Sequence, residues 1–216
     1  MYSEKKSIIY RIVASTVPRL MRFIFSCKVV GKENIPKEGA VIIASNHVTA
    51  LDPVFVGDIA SKRQIHYMAK EELFKKKIIS SLLRSLGAFP VARGTGAEDA
   101  LNEAFEVLNN DGVLGVFIEG TRSKDGNLGK PKTGVPLLAF DTKATIVPVN
   151  IIGKDGKIPK FGKKTIMLIG EPIPFEQLGM EEKSSMHYRR GAKNIMVKIA
   201  ELREKSIEML KWIIWE

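Results

Sequence analysis

The chain has 216 residues, 44% of them apolar and 27% charged, which excludes a disordered segment and supports one sizeable core. The formal charge of +10 calls for an anionic partner: a lipid surface, nucleic acid, a phosphorylated substrate or an acidic protein. The sequence has no paired-cysteine zinc spacing, stacking-aromatic signature or recognition motif, which argues against nucleic acid, and its single cysteine, Cys27, excludes an internal disulfide.

The stretch Ile8–Cys27 is rich in apolar residues but interrupted by Arg11, Arg19 and Arg22, and no segment reads as a secretory signal or a membrane span. Pro18 is expected to kink or divide a helix here. Ile9, Ile12 and Val13 can share a face, as can Leu20, Phe23 and Ile24. Basic and apolar groups together suit a helix lying in a bilayer interface; the competing expectation is a helix packed on the core. Residues 1–29 are therefore read as an amphipathic, membrane-associated helical element and residues 30–216 as the main domain.

Ala40–Ser45 reads as a strand, Val54–Ala60 as a helix and Gln64–Met68 as a short strand. Leu73–Leu86 carries helical stripes among its lysines, and Gly87–Ala92 is extended. Ala97–Leu108 is an amphipathic helix ending before Asn109-Asn110-Asp111-Gly112. Val113–Ile118 is a nearly continuous apolar strand, as expected of a covered sheet. Val135–Phe140 begins a helix, and Thr145–Ile151 and Thr165–Ile169 are strands around the turn Lys154-Asp155-Gly156-Lys157. Pro148 predicts an edge strand or a bulge. Glu181–Leu210 is helical, followed by Trp212 and Trp215, which suit an interface; the competing expectation is a terminal helix docked on its own domain. Alternating strands and helices predict an α/β domain with a mixed or mostly parallel sheet flanked by helices.

Two segments carry chemistry. Asn46-His47-Val48-Thr49-Ala50-Leu51-Asp52-Pro53 sets a histidine at a strand exit and a carboxylate five residues later. A neutral imidazole can take a proton from an alcohol, and Asp52 can accept from its other ring nitrogen. Asn46 is expected to bind the turn backbone. Asp52 before Pro53 also has the form of a helix N-cap, which would explain the aspartate but not the histidine. Glu119-Gly120-Thr121-Arg122-Ser123 follows an apolar strand, at the edge where open α/β sheets bind ligands. Arg122 offers a fork of donors to phosphate, and Glu119 either orients it or a substrate hydroxyl; the plain alternative is a loop closed by a Glu119–Arg122 pair. Arg93 follows another extended segment and can add a second cation. Lys130, Lys132 and Gly134 can extend the pocket or serve as turn and surface residues. His66 reads as structural or solvent-facing, His187 as a helix-surface residue and Cys27 as packed. No clustered histidines and cysteines suggest a metal.

In combination these segments resemble the glycerolipid acyltransferases, and most closely the bacterial 1-acylglycerol-3-phosphate acyltransferases. The resemblance runs from about Val30 to Ile173. It rests on His47-x-x-x-x-Asp52, Gly87-x-x-Phe89-x-x-Arg93, Phe117-x-Glu119-Gly120-Thr121-Arg122-Ser123 and Val147-Pro148-Val149 in that order. Lys70-Glu71-Glu72-Leu73 and Lys132-x-Gly134 fall in the expected order between them. Two departures are Ile118, where the family often has proline, and Thr49, where it often has serine.

The resemblance implies transfer of a fatty acyl group from acyl-coenzyme A or acyl carrier protein to the sn-2 hydroxyl of 1-acyl-sn-glycerol 3-phosphate (lysophosphatidic acid), giving phosphatidic acid. His47 would be the general base, supported by Asp52. Arg93, Glu119, Gly120, Thr121 and Arg122 would form the acceptor site, with Asn46, Lys70 and Lys132 in support. No metal or other cofactor is implied. An anionic membrane would be a partner, with the protein peripheral or monotopic on the cytoplasmic face. The alternatives are another lysolipid or glycerol 3-phosphate as acceptor, or a catalytically inactive lipid-binding module.

Overall fold

The structure, a computed structural model, describes residues 8–57, 63–91 and 97–213. Its centre is a seven-stranded sheet of β1 (Cys27–Val30), β2 (Val41–Ser45), β3 (Ile65–Lys70), β4 (Ala88–Val91), β5 (Val113–Phe117), β6 (Thr145–Gly153) and β7 (Thr165–Ile169). The spatial order is β1-β7-β6-β2-β5-β3-β4. Strands β2 to β6 are mutually parallel. β7 runs antiparallel to β6, and β1 pairs in parallel with β7. The sheet is thus mixed, with a five-stranded parallel block and a reversed pair at one side.

Both faces are covered, which explains the unbroken apolar runs. All five residues of β2 are buried. Ile42 and Ala44 point into one cluster, with Leu138 of α5 (Gly134–Thr142), Ala104 and Leu108 of α4 (Ala97–Asn109), and Ile195 and Ile199 of α6 (Ser185–Ile213). Val41 and Ile43 point into the other, with Met21 of α1 (Ile8–Ile24) and Phe55 of α2 (Asp52–Gly57). Burying each such large aliphatic or aromatic side chain contributes about 1.5–3 kcal/mol. The Leu73–Leu86 region divides into a 3-10 turn at Glu71–Phe74 and α3 (Lys77–Ser85).

Several expectations need correction. Of the two outcomes expected at Pro18, division of the helix does not occur: α1 continues through it. Pro148 lies in β6, between β2 and β7, not at an edge. Its carbonyl accepts from Gly170 just past the end of β7. From Val149↔Ile169 to Ile146↔Ile173, three steps along β6 answer four on the neighbouring chain. The proline therefore sits beside a bulge, where the ladder is already interrupted and its missing N–H costs little. His187 is buried, not on the helix surface: its Nδ1 accepts the Glu181 N–H at 2.9 Å ahead of the first turns of α6. His66 lies in β3, half-buried, and Cys27 is buried in β1, which straddles the boundary expected at residues 29 and 30.

Candidate active site

The parallel block brings the carboxyl ends of its strands to one edge of the sheet. β2 and β5 are neighbours, with Ser45 opposite Phe117, so the segments after them start side by side. His47 leaves β2 level with Glu119, which leaves β5. Lys70 is the last residue of the next strand, β3, and is exposed at the same edge. Arg93 lies outside the described residues, as does Trp215.

His47 is held on four sides. Its Nδ1 lies 2.7 Å from Asp52 Oδ2. The same oxygen accepts the Val48 and Thr49 N–H groups at 2.6 and 2.9 Å, and Oδ1 accepts the Thr49 hydroxyl at 2.6 Å. An oxygen that accepts from two fixed amides is an acceptor toward the ring as well, so Nδ1 carries the hydrogen and Nε2 presents its lone pair. The His47 ring stacks on Phe117, centroids 4.1 Å apart and planes 15° from parallel. The His47 N–H donates to Glu119 Oε1 at 3.0 Å, and its carbonyl accepts from Ser123 at 2.7 Å. The His47 side chain keeps 18% of its surface exposed, while Asp52 keeps 0%.

These contacts decide two alternatives. Asp52 is the first residue of α2, yet its carboxylate turns back onto residues 47–49, while the Val54 and Phe55 amides bind the Leu51 carbonyl. It is not a side-chain N-cap. The Glu119–Arg122 pair does not form: Glu119 is buried, and its oxygens bind the His47 and Gly129 amides, the latter at 2.6 Å. Glu119 therefore ties the β5 loop to the histidine backbone. Arg122, Thr121, Lys130 and Lys132 are exposed around it. Gly120 has φ +71 in the tight turn its N–H closes onto the Phe117 carbonyl, and a Cβ there would crowd the Lys132 chain at 3.3 Å.

Asn46 binds across the sheet instead of within its own turn. Its amide donates to the Ile151 carbonyl at 2.9 Å and accepts the Ile151 N–H at 2.7 Å. It replaces a rung of the β2–β6 ladder at the point where β2 leaves the sheet. Phe117 and Thr49 stand in the motifs without any sign of the stack and the hydroxyl bond they supply, and the Gly129 amide carries no signal of its own in sequence. Nor does Arg203 of α6, which donates to the Gly126 and Gly156 carbonyls at 3.3 and 3.0 Å and fixes the β5 loop from the far side. Within that loop, hydrogen bonds from the Asn127 backbone and side chain and from Ser123 hold the Asp125 carboxyl below the usual carboxylate range.

Among the described residues, no group of three or more His, Cys, Asp and Glu is placed to hold a metal. Nor is any helix among them long and apolar enough to cross a membrane. The arrangement supplies an oriented base at the sheet edge, next to a glycine turn and exposed cations.

The sequence family described as Acyltransferase matches residues 26–152, the stretch that holds every contact of His47. The chain belongs to the acyltransferase family. The 1-acyl-sn-glycerol-3-phosphate acyltransferase of Bacillus subtilis (strain 168) is 34% identical to it over 166 residues, 76% of this chain and 82% of that protein. The Streptococcus pneumoniae protein of the same description is 33% identical over 141 residues, 63% of this chain and 51% of that one. The crystal structure of the 1-acyl-sn-glycerophosphate (LPA) acyltransferase, PlsC, from Thermotoga maritima superimposes with a TM-score of 0.69 at 28% identity, covering 94% of this acyltransferase and 83% of that chain.

Proposed function

We propose that this acyltransferase moves a fatty acyl group from a thioester, acyl-coenzyme A or acyl carrier protein, to the sn-2 hydroxyl of 1-acyl-sn-glycerol 3-phosphate. The products are phosphatidic acid and the free thiol. The observation that carries the reading is the His47–Asp52 pair, closed onto the Val48 and Thr49 amides with Nε2 left as the free ring nitrogen. Relatives described as acting on this acceptor support the substrate.

In this reading, Nε2 takes the hydroxyl proton as the oxygen attacks the thioester carbonyl carbon. The imidazolium forms against the Asp52 carboxylate, which favours its charge. Collapse of the tetrahedral species breaks the C–S bond, and the thiolate leaves with the proton from Nε2. Glu119 acts as a positioning residue through the His47 backbone. Gly120, Thr121 and Arg122, with Arg93, Lys70 and Lys132, supply the acceptor site, in which cations at the sheet edge meet the phosphate. The same reading places the protein at the cytoplasmic face of an anionic membrane, supported by the charge of +10 and by the exposed Ile8, Ile12, Leu20 and Phe23 of α1.

The test is mass-spectrometric product analysis with paired panels of thioester donors and lysolipid acceptors, glycerol 3-phosphate included. Phosphatidic acid formed from lysophosphatidic acid is the expected product. His47→Ala should lower turnover by about a thousandfold with the fold unchanged. Turnover near wild type would remove the general base, and preference for an acceptor lacking phosphate would remove the cationic site.

A further inference from the structure

β6 leaves the sheet at the same edge as β2 and β5, because the three strands are parallel. Its exit loop runs to a tight turn at Lys160–Lys163, where the Lys163 N–H donates to the Lys160 carbonyl at 3.0 Å. Gly162 takes φ +65 in this turn and sends its own N–H to the Ile24 carbonyl of α1 at 2.9 Å. β1 starts at Cys27 opposite Thr165 and runs against β6, so the end of α1 reaches this edge too.

The turn is therefore pinned to the last turn of α1, and each partner presents a phenylalanine. Phe161, at the second position of the turn, is 78% exposed, and Phe23, one residue before Ile24, is 85% exposed. Neither packs on the core. Lys160 and Lys163 flank Phe161, both exposed. Neither Ile8–Lys32 nor Gly156–Thr165 contains a single acidic residue, so neither segment brings a carboxylate of its own to this surface. Single exposed apolar residues are ordinary on a protein surface; an exposed aromatic ring on a turn between two exposed lysines, pinned to a helix end that exposes a second ring, is not. An acidic protein would answer the lysines and leave the rings in water. A phospholipid leaflet offers anions above an apolar phase, and so answers both.

We propose that the Lys160–Lys163 turn, with Phe161 at its tip and Phe23 of α1 beside it, docks on an anionic phospholipid bilayer. The turn leads into β7, two strands from β2, or about 10 Å at the usual strand spacing. Insertion of the two rings sets the His47 edge against the lipid surface. The proposal rests on the reading of the acceptor as a membrane lipid.

The test uses the full chain and sedimentation with vesicles of equal parts phosphatidylglycerol and phosphatidylcholine, or of phosphatidylcholine alone. Phe161→Ser should lower the partition coefficient about fivefold or more. Lys160→Gln with Lys163→Gln should lower it about tenfold in anionic vesicles at low salt, with little effect in neutral ones. All substitutions are at exposed positions, and thermal melts should match wild type. Turnover should fall with vesicle-embedded lysophosphatidic acid and hold with a monomeric short-chain acceptor. Unchanged partitioning of both variants overturns the proposal. So does loss of binding to immobilised acyl carrier protein with vesicle binding intact, which assigns the turn to a protein partner. Partitioning is read without catalysis, so a failure to turn over lysophosphatidic acid strikes the acceptor reading and leaves the docking result standing by itself.

Discussion

Asp52 accepts four hydrogen bonds and gives none, all of them from residues 47–49. This makes Asp52→Asn a cleaner probe than a helix cap would allow. The amide can place its oxygen where Oδ2 sits and keep three donors satisfied. Its NH2 then faces the Thr49 hydroxyl, which can rotate to accept. What is lost is the charge beside the imidazole. Turnover should fall about a thousandfold while thermal stability holds, as read by steady-state assay and a melting curve. Asp52→Ala, by contrast, strands buried donors at about 1–3 kcal/mol each and should cut stability as well. The His–Asp spacing was legible in sequence because five residues suffice to span a turn into a helix. Whether the carboxylate faced the ring or capped the helix was not, since both uses need the same residue type before the same proline. Glu119 shows the limit more sharply. Its partners are main-chain amides, and a main-chain amide leaves no mark on a sequence.

The element that most depends on distant contacts is the loop after β5. Glu119 holds it at the start, Gly126 at φ +87 lets it pass close to Lys157, and Arg203 grips it from α6. Arg203→Met keeps the aliphatic length and removes both carbonyl contacts. The loop carrying Thr121, Arg122 and Lys132 should loosen, raising KM for the phosphate-bearing acceptor about three- to tenfold with kcat less affected. A lower melting temperature with an unchanged KM would confine Arg203 to a structural role. Strands and helices themselves were readable along the chain: the apolar run Val113–Ile118 and the stripes of Ala97–Leu108 fall where β5 and α4 do. Pro148 left an edge and a bulge equally open, because a proline reports only its own missing donor. That donor faces the neighbour's bulge, and the bulge is set by residues 170–173.

For the whole molecule, one half-buried titratable group gives stability a pH dependence. Burial in β3 pushes the His66 pKa below its ordinary value of 6.5, outweighing the hydrogen bond at Gly87 that raises it. A folded-state pKa below the unfolded one means that the unfolded chain binds the extra proton first. The stabilisation is full above about pH 6.5 and is lost as pH falls toward the folded pKa. The urea midpoint should therefore drop between about pH 7.5 and pH 5.5, and His66→Gln should flatten that drop. An unchanged slope would assign the acid sensitivity to other groups. At this scale the α/β alternation foretold a mixed sheet, but strand order and the reversed pair depend on contacts between segments far apart in sequence. One of those contacts bears on how the protein is made. β1 pairs Cys27 with Thr165, so the strand after α1 waits through 165 − 27 = 138 residues of synthesis for β7, its one neighbour among the described strands. At ordinary elongation rates that interval lasts roughly ten seconds. For that time β1 has no strand to close against, and a nearby lipid surface can receive the adjoining α1 before β7 is made.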